Sequence, residues 1–523
     1  MSTKLERKSS LQANWLQFTF VMILVLGIFL RFVNLDKKVY WTDETLTSLR
    51  ISGYTGVEVV DQLFDGRKIN VEELQKYQRI NPEVSFTETV KNLAIGNPHH
   101  PPLFYIMERF WVQWFGSSVT VTRSLSAILS LLVFPSVYWL CRELFQKPIF
   151  GWVAIAIFAI SPFHILYAQE ARQYSLWTAT ILLSSAALLR ALRINDRKSW
   201  AIYTASTIFN LYTFLFSILV VVAHGIYVGI IEGLRVTNKV KAFIVSCLLI
   251  MLGFFPWLIV VVGQLNKINK ATDWSAIPVG YSFLIKAWIL HLVRLFFDIE
   301  FSWKNPLTYL SIPILVLVVY SIYFLCRKTP QKTWLFILTL ICISFLPIVL
   351  ADLFFGGRRS SISRYLVPYF IGIQLAVSYL LGVIIGNLSE SLQQRKVWQI
   401  ITVSIISLGI FSSVIISQAE VWWNKYTSVH HPYIADIVNR DIEPILVNFR
   451  GSLGYALSLS YLLDSKVQLR LYRNPDANYL PDESKNVFLL YPSRSLLKKL
   501  EQEEKYKIQL VYKPAKLWKL ENN

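Results

Sequence analysis

Nine apolar stretches long enough to cross a bilayer leave this chain little freedom in what it can fold into. They run at about 15–33, 121–141, 149–166, 174–193, 242–262, 307–325, 333–353, 365–385 and 398–418. The run 200–233 is continuous and too long for one ordinary span. A split near 210–216 makes two short helices of it and brings the total to about eleven spans. Composition agrees: 54% of residues are hydrophobic and 16% charged, against roughly 45–50% and about 25% in a soluble domain. The basic start (Lys4, Arg7, Lys8) precedes an apolar run that is long for a signal peptide and lacks an Ala-x-Ala cleavage site. It reads as a retained first transmembrane helix.

The formal net charge of +19 could suggest nucleic acid. Most of the basic residues, however, sit between apolar segments, where they set orientation in a membrane. With the amino terminus inside, the inner loops carry Arg142 and Lys147; Arg190, Arg193, Arg197 and Lys198; Arg235, Lys239 and Lys241; Arg327, Lys328 and Lys332; and Arg395 and Lys396. A nucleic-acid partner is therefore not expected. Residues 279–299 form a rival span, but Lys286, His291 and Arg294 would be costly at mid-membrane. An amphipathic helix on the outer surface is the better reading. Cys141, Cys247, Cys326 and Cys342 lie in or beside apolar spans with no CxxC pair, as small buried side chains do.

The outer side then receives a loop of roughly 85 residues, 34–120, far longer than an ordinary connection. Near its end Leu103, Met107, Phe110, Trp111 and Trp114 fall at helical spacing, with Glu108, Arg109 and Gln113 as polar positions, the pattern of an interfacial helix. The tail after 418 has the rhythm of a small α/β domain. Strand-like runs PILVNF, VQLRLY, NVFLLY and KIQLVY alternate with helical patterns at 454–463 and 495–505. It has no P-loop and no GxGxxG. The expected architecture is an all-α polytopic membrane domain over 1–418, which includes the 34–120 loop, and a small extracytoplasmic α/β domain over 419–523.

Four clusters could carry chemistry. Asp43 and Glu44, in Tyr40-Trp41-Thr42-Asp43-Glu44, follow the first span directly. A solvated carboxylate pair or a helix cap is the plain reading. A general base, partly desolvated beside the bilayer so that it can take a hydroxyl proton, is the sharper one. Glu170 and Arg172 lie at the outer end of the third span, where charge is costly. Arg358, Arg359 and Arg364, with Tyr365, occupy a short outer loop that breaks the positive-inside pattern. Arginine grips phosphate in a fork, and the Gly and Ser residues between leave backbone amides for oxyanions. Ordinary lipid headgroups are the alternative ligand. His99-His100-Pro101-Pro102 reads as a turn, with metal or phosphate binding as the other option.

The order RFVNLD-x3-YWTDE, HHPPLFY, SPFHILYAQEARQYSL, SRYLVPY resembles the family 39 glycosyltransferases, GT-C-fold membrane enzymes related to protein O-mannosyltransferases and to the aminoarabinose transferase of lipid A. The resemblance covers about 15–385. It implies a polyprenyl-phosphate-linked sugar donor, an inverting transfer to a lipid, glycan or protein acceptor, and an active site on the outer face of the plasma (inner) membrane. It implies Asp43 as base, Glu44 and Glu170 as supporting acids, His100 before the Pro-Pro pair, and Arg364 with Arg358 and Arg359 as the grip on the lipid phosphate. It makes no cofactor certain and leaves a divalent metal open, since some relatives bind one nearby, while the residues here name no ligand set. The rival readings are a lipid-linked oligosaccharide ligase or polymerase, and a non-catalytic transporter or flippase of anionic lipids.

Overall fold

The computed structural model describes residues 2–302, 304–386, 392–474, 486–502 and 506–522. The chain divides into two compact units. One comprises Met1–Val33, Asn97–Phe104 and Arg123–Ser417; the other comprises Asn34–Gly96, Tyr105–Thr122 and Gln418–Asn523.

The first unit is helical. Seven described helices are long and apolar enough to cross a membrane: Val119–Phe145, Tyr174–Ile194, Asn238–Gly263, Pro306–Lys328, Gln331–Phe355, Val367–Gly386 and Lys396–Gln418. The pair Pro148–Ile160 and Pro162–Ala168, bent by 61°, makes an eighth if counted as one span. Leu16–Phe32, Ser217–Ile231 and Tyr281–Val293 are shorter apolar helices. The break expected in the 200–233 run falls at 214–216, between Arg197–Thr213 and Ser217–Ile231. The outer helix Asn238–Gly263 leaves Leu248, Met251, Leu252 and Ile259 exposed, an apolar face suited to lipid rather than water.

The 61° bend has a local cause. Pro162 has no N–H to give the carbonyl of Phe158, four residues back. Arg31 supplies the missing donors: its Nη2 donates to Phe158 O at 2.8 Å and its Nη1 to Ala159 O at 2.6 Å. The first helix comes this close because Gly27 faces Ala159, whose carbonyl oxygen would lie 2.5 Å from any Cβ added there. Arg31, the first residue of RFVNLD, thus anchors the first helix to the bend that precedes Glu170.

The second unit is built on a six-stranded sheet of order β1-β3-β2-β4-β6-β5: β1 Ile69–Asn70, β2 Ile445–Asn448, β3 Gln468–Leu471, β4 Val487–Leu490, β5 Tyr506–Tyr512 and β6 Leu517–Asn522. β2 runs parallel to β3 and β4, and the outer pairings are antiparallel. Alternation sorts the side chains. Leu446, Leu469, Leu471, Phe488 and Leu490 pack with Ile434, Val438, Leu453 and Leu457, from the helices His431–Asn439 and Leu453–Ser460. Ile445, Val447, Val487 and Leu489 face the other way, onto Leu496 and Leu500 of Arg494–Gln502. The four strand-like runs expected in the tail are β2 to β5; residues 503–505 of the expected last helix lie outside the described ones. Two strands go beyond that expectation. β6 closes a hairpin with β5, and β1 comes from the 34–96 segment, pairing with β3 through Ile69 and Leu469. The loop that the sequence grouped with the membrane helices shares a core with the tail instead: Val59, Leu63 and Leu74 belong to the same apolar cluster as Leu446 and Leu457.

Candidate functional site

In the second unit the chain enters the helix Thr42–Ser52 through an extended Trp41, whose carbonyl accepts the N–H groups of Glu44 (2.9 Å) and Thr45 (3.0 Å). Asp43 and Glu44 therefore sit in the first helical turn, where the peptide dipoles favour negative charge. The tail clamps this entry. Ser458 Oγ donates to the carbonyl of Tyr40 at 2.7 Å, and the Thr42 N–H donates to Ser428 Oγ at 3.3 Å. Ser428 Oγ and His431 Nδ1 each lie 2.9 Å from Ser458 Oγ. Ser458's single hydrogen goes to Tyr40, so His431 carries its proton on Nδ1. Gly454 permits the approach, since a Cβ there would lie 2.7 Å from Thr42 Cγ2.

The two acids of the pair are not equivalent. Glu44 is fully buried, and Lys425 Nζ donates to its Oε2 at 2.8 Å. Lys425 is buried too and lies 5.6 Å from the centre of the Trp41 ring. Asp43 is only half-buried. A third acid joins them. The sequence reads Glu108 and Arg109 as the polar positions of an interfacial helix; in the structure both are buried, the inverse of polar positions that face water. Trp114 and Phe115 remain exposed. The inversion is possible because Arg109 finds carbonyls: its guanidinium donates to Ile51 O (2.5 Å) and Val84 O, and to Thr89 Oγ1 at 2.8 Å. Glu108 has no such compensation, and neither carboxyl oxygen has a hydrogen-bond partner among the described residues. Burial first, and then the charge of Glu44, raises Glu108 well above the usual carboxylate range.

In the first unit the remaining candidates form a second group. Gln169 Nε2 donates to the carbonyls of Leu30 and Val33, both at 2.9 Å, tying the turn 169–173 to the first helix. Glu170 and Arg172 are buried; Ser126 Oγ donates to the Arg172 carbonyl, and the guanidinium lies 5.7 Å from the centre of the Tyr174 ring. Tyr167 links this turn to the arginine loop through a 2.9 Å hydrogen bond with Ser363 Oγ, and it feels the charges of both Glu170 and Arg364. Arg364 is buried with its guanidinium 5.8 Å from the ring centres of Trp274 and Tyr365. Tyr365 stacks in turn on Phe216.

The arginines divide as the acids do. Arg359 is committed to Asp352, which its side chain meets at 3.2 Å and its backbone N–H at 3.1 Å. Ser360 completes the cage, donating to the other oxygen of Asp352 from N (2.6 Å) and Oγ (2.7 Å). Arg358 rests 6.0 Å from the Phe283 ring centre and has no carboxylate partner among the described residues. The helix Tyr281–Val293, expected as a surface amphipathic helix, turns residues inward to hold this loop: Trp288 Nε1 donates to Ser360 Oγ at 3.0 Å and His291 Nε2 to Ser361 O at 2.9 Å. Arg294 pairs with the buried Asp298 at 3.3 Å.

His100 is buried, its N–H donating to Asn97 O at 2.9 Å and its ring 4.1 Å from that of His99, a turn held by its own backbone. Among the described residues no three His, Cys, Asp or Glu side chains gather as a metal-holding group. Reading the sequence missed Lys425, Glu108, Tyr167, Asp352 and Asp298. The missing signal is spatial: Lys425 is 381 positions from Glu44.

Residues 99–260 match the family described as dolichyl-phosphate-mannose-protein mannosyltransferase. No curated protein matches the chain by sequence. Among solved structures, it is similar to the ArnT protein of Cupriavidus metallidurans. In the apo state the TM-score is 0.52 at 11% identity, covering 96% of this chain and 97% of that one. For ArnT bound to undecaprenyl phosphate the TM-score is 0.51, again at 11% identity, with 97% and 98% covered. It is also similar to the oligosaccharyltransferase of Archaeoglobus fulgidus tethered with an acceptor peptide, with a TM-score of 0.50 at 14% identity. That match takes in 86% of this chain, which spans 63% of the archaeal protein's length. The chain is a polytopic helical membrane protein of GT-C fold, similar over residues 99–260 to the protein mannosyltransferases.

Proposed function

We propose that this protein is a membrane glycosyltransferase of the plasma (inner) membrane. It moves a sugar from a polyprenyl-phosphate carrier to a lipid, glycan or protein acceptor on the extracytoplasmic face, with inversion. The observation that carries the reading is the split acid pair: Glu44 is locked by Lys425 at 2.8 Å, while Asp43, beside it in the same turn, keeps part of its surface open. An ion-paired buried carboxylate is a poor proton acceptor, because protonation would strand the ammonium. Asp43 is the base by that argument.

The step balances simply. Asp43 takes the proton of the acceptor hydroxyl as its oxygen bonds to the anomeric carbon. The bond from that carbon to the carrier's phosphate oxygen breaks, and its electron pair leaves on the phosphate. Cations at that oxygen lower the barrier. Arg364 and Arg358 are assigned to the phosphate, whereas Arg359 orders the loop through Asp352. The family described for 99–260, and the undecaprenyl phosphate in the ArnT structure, support a lipid-phosphate donor.

The test is transfer. Purified protein in vesicles, incubated with labelled undecaprenyl-phosphate sugars, should move label into an acceptor fraction, and Asp43→Asn should slow that movement by about 10²–10⁴-fold. Transfer at the parental rate in Asp43→Asn sinks the base assignment. Label that reaches the opposite leaflet still on its carrier, with no acceptor product, would make the protein a flippase.

A further inference from the structure

We infer that Lys425 and Glu108 are positioning residues for the Asp43–Glu44 turn. With Glu44 they form a buried trio holding one ammonium, one carboxylate and one carboxyl that keeps its proton. The inference rests on the reading of Asp43 as base, and it deepens that reading by giving the carboxy-terminal segment a part in the site.

The argument is one of charge balance in a place without water. Glu44 and Glu108 have no exposed surface, and Lys425 almost none. One ammonium can neutralise one carboxylate; a second carboxylate would be a bare buried charge, the costliest state available to an acid. The 2.8 Å contact assigns Lys425 to Glu44. No neighbour on its own helix or the next relieves Glu108. Arg109 is turned to Ile51, Val84 and Thr89, and Arg50 lies 5.9 Å from the Tyr105 ring centre. Around Glu44, Tyr40 and Tyr461 contribute phenols, and burial raises Tyr40 well above its usual range. Among the described residues, the charge that bears on Glu108 is that of Glu44, which is of the same sign. Keeping the proton is what the surroundings permit.

The consequence falls on Asp43. Lys425 fixes Glu44 and, through the Trp41 ring, the entry of the helix. When Glu108 ionises, it confronts Glu44 with a second negative charge. The turn that carries Asp43 then loses its fixed geometry. Turnover should therefore fall at high pH through Glu108, a group that touches neither acceptor nor donor.

Two measurements test this separately from the enzyme class. In infrared spectra of the full-length protein at neutral pH, a protonated-carboxyl band should be present, absent from Glu108→Gln and joined by a second band in Lys425→Met as Glu44 takes up a proton. This readout needs no substrate. In transfer assays with a labelled undecaprenyl-phosphate sugar, Lys425→Met should lower kcat by about 10²-fold, the scale of a catalytic group displaced by ~1 Å. Donor KM should hold and Lys425→Arg should restore part of the loss. Glu108→Gln should move the alkaline limb of the kcat profile to higher pH. If Lys425→Met fails to fold, the Glu108→Gln profile and the band decide alone. A band unchanged in Glu108→Gln, or the same alkaline limb in both proteins, overturns the inference. If no sugar moves in any variant while the band behaves as described, it is the glycosyltransferase reading that has failed.

Discussion

The acidic turn at 43–44 and the arginine loop at 356–365 make an instructive pair. Each presents a doublet that looks uniform in the sequence, Asp43-Glu44 and Arg358-Arg359. In each, the fold commits one member to structure. Glu44 is tied to Lys425, and Arg359 to Asp352. They differ in where the partner comes from. Asp352 is seven residues from Arg359, at the end of the preceding helix, so the cage is local. Lys425 is 381 residues from Glu44 and arrives only when the tail folds onto the 34–96 segment. A local cage can form on its own; a distant partner makes the acid's state depend on tertiary structure. On the proposed function, Glu44 and Arg359 are the holders of their doublets, and Asp43 and Arg358 are the members assigned to chemistry.

The first way to break that comparison is at the acids, where the effect should be largest. General-base catalysis contributes typically about 10²–10⁴-fold, so Asp43→Asn should lower kcat by that factor with donor affinity little changed. Glu44→Gln should act differently. It removes the carboxylate that the buried Lys425 ammonium meets at 2.8 Å, and breaking a buried ion pair costs about 3–5 kcal/mol of stability. Thermal unfolding beside turnover separates the two. If Glu44→Gln is dead yet as stable as the parent, while Asp43→Asn is active, holder and actor must be exchanged.

At the arginines the effect should be smaller. Loss of one charge-assisted contact to phosphate costs about 1.5–3 kcal/mol, hence roughly ten- to a hundred-fold in kcat/KM for Arg364→Ala. Arg364→Lys should recover only part, since a point charge replaces a fork. Arg359→Ala should instead loosen the loop, and Asp352→Asn should reproduce its phenotype. Equal donor-KM effects in Arg359→Ala and Arg364→Ala, with Asp352→Asn silent, would erase the distinction.

Much of this was legible because membrane spans and strands carry their own period. Apolar length gave the helical unit, and the four runs in the tail became β2 to β5. The break at 214–216 was readable from length alone. What escaped was set by pairing at a distance. β1 is two residues long and has no pattern of its own; only β3 makes it a strand. Glu108 sits on a helix whose stripe of Met107, Phe110, Trp111 and Trp114 was legible, but which face turned inward was not. Carbonyls at Ile51 and Val84, far away in sequence, accept Arg109 and decide it. The candidate acids and arginines were visible as residue types, while their division of labour depended on Lys425 and Asp352.

Packing offers a milder probe of the distant partner. Gly454 lets the Leu453–Ser460 helix lie against Thr42 and Leu46, with 2.7 and 3.2 Å left for any Cβ. Gly454→Ala overpacks that contact, which typically costs about 1–3 kcal/mol. If the clamp sets the acidic turn, the variant should lose turnover beyond what its lower stability explains at the assay temperature. A comparable overpacking at Gly382, against Phe150 in the helical unit, should cost stability without that extra loss.

The smallest effect is a slope, and it has opposite signs at two groups of the same unit. Glu108 is raised by burial, then by Glu44. Below the ordinary carboxylate range it is protonated whether folded or unfolded and has no influence. Above that range the unfolded chain has released the proton and the folded one retains it, so stability falls with rising pH until the buried group itself ionises. His431 is lowered to about 3, by burial first and then by the charges of Arg450 and His430. Here the unfolded chain takes up a proton below its ordinary value near 6.5 and the folded one does not, so stability falls as pH drops from there toward 3. Each slope approaches about 1.4 kcal/mol per pH unit for a single group. Glu108→Gln should flatten the alkaline side alone. His431→Asn, which keeps a donor for Ser458, should flatten the acid side alone. Unfolding midpoints across pH 4–9 in one detergent would measure both. An alkaline slope that persists in Glu108→Gln would mean that the proton is held elsewhere, and that the trio at the acidic turn is not the device that senses it.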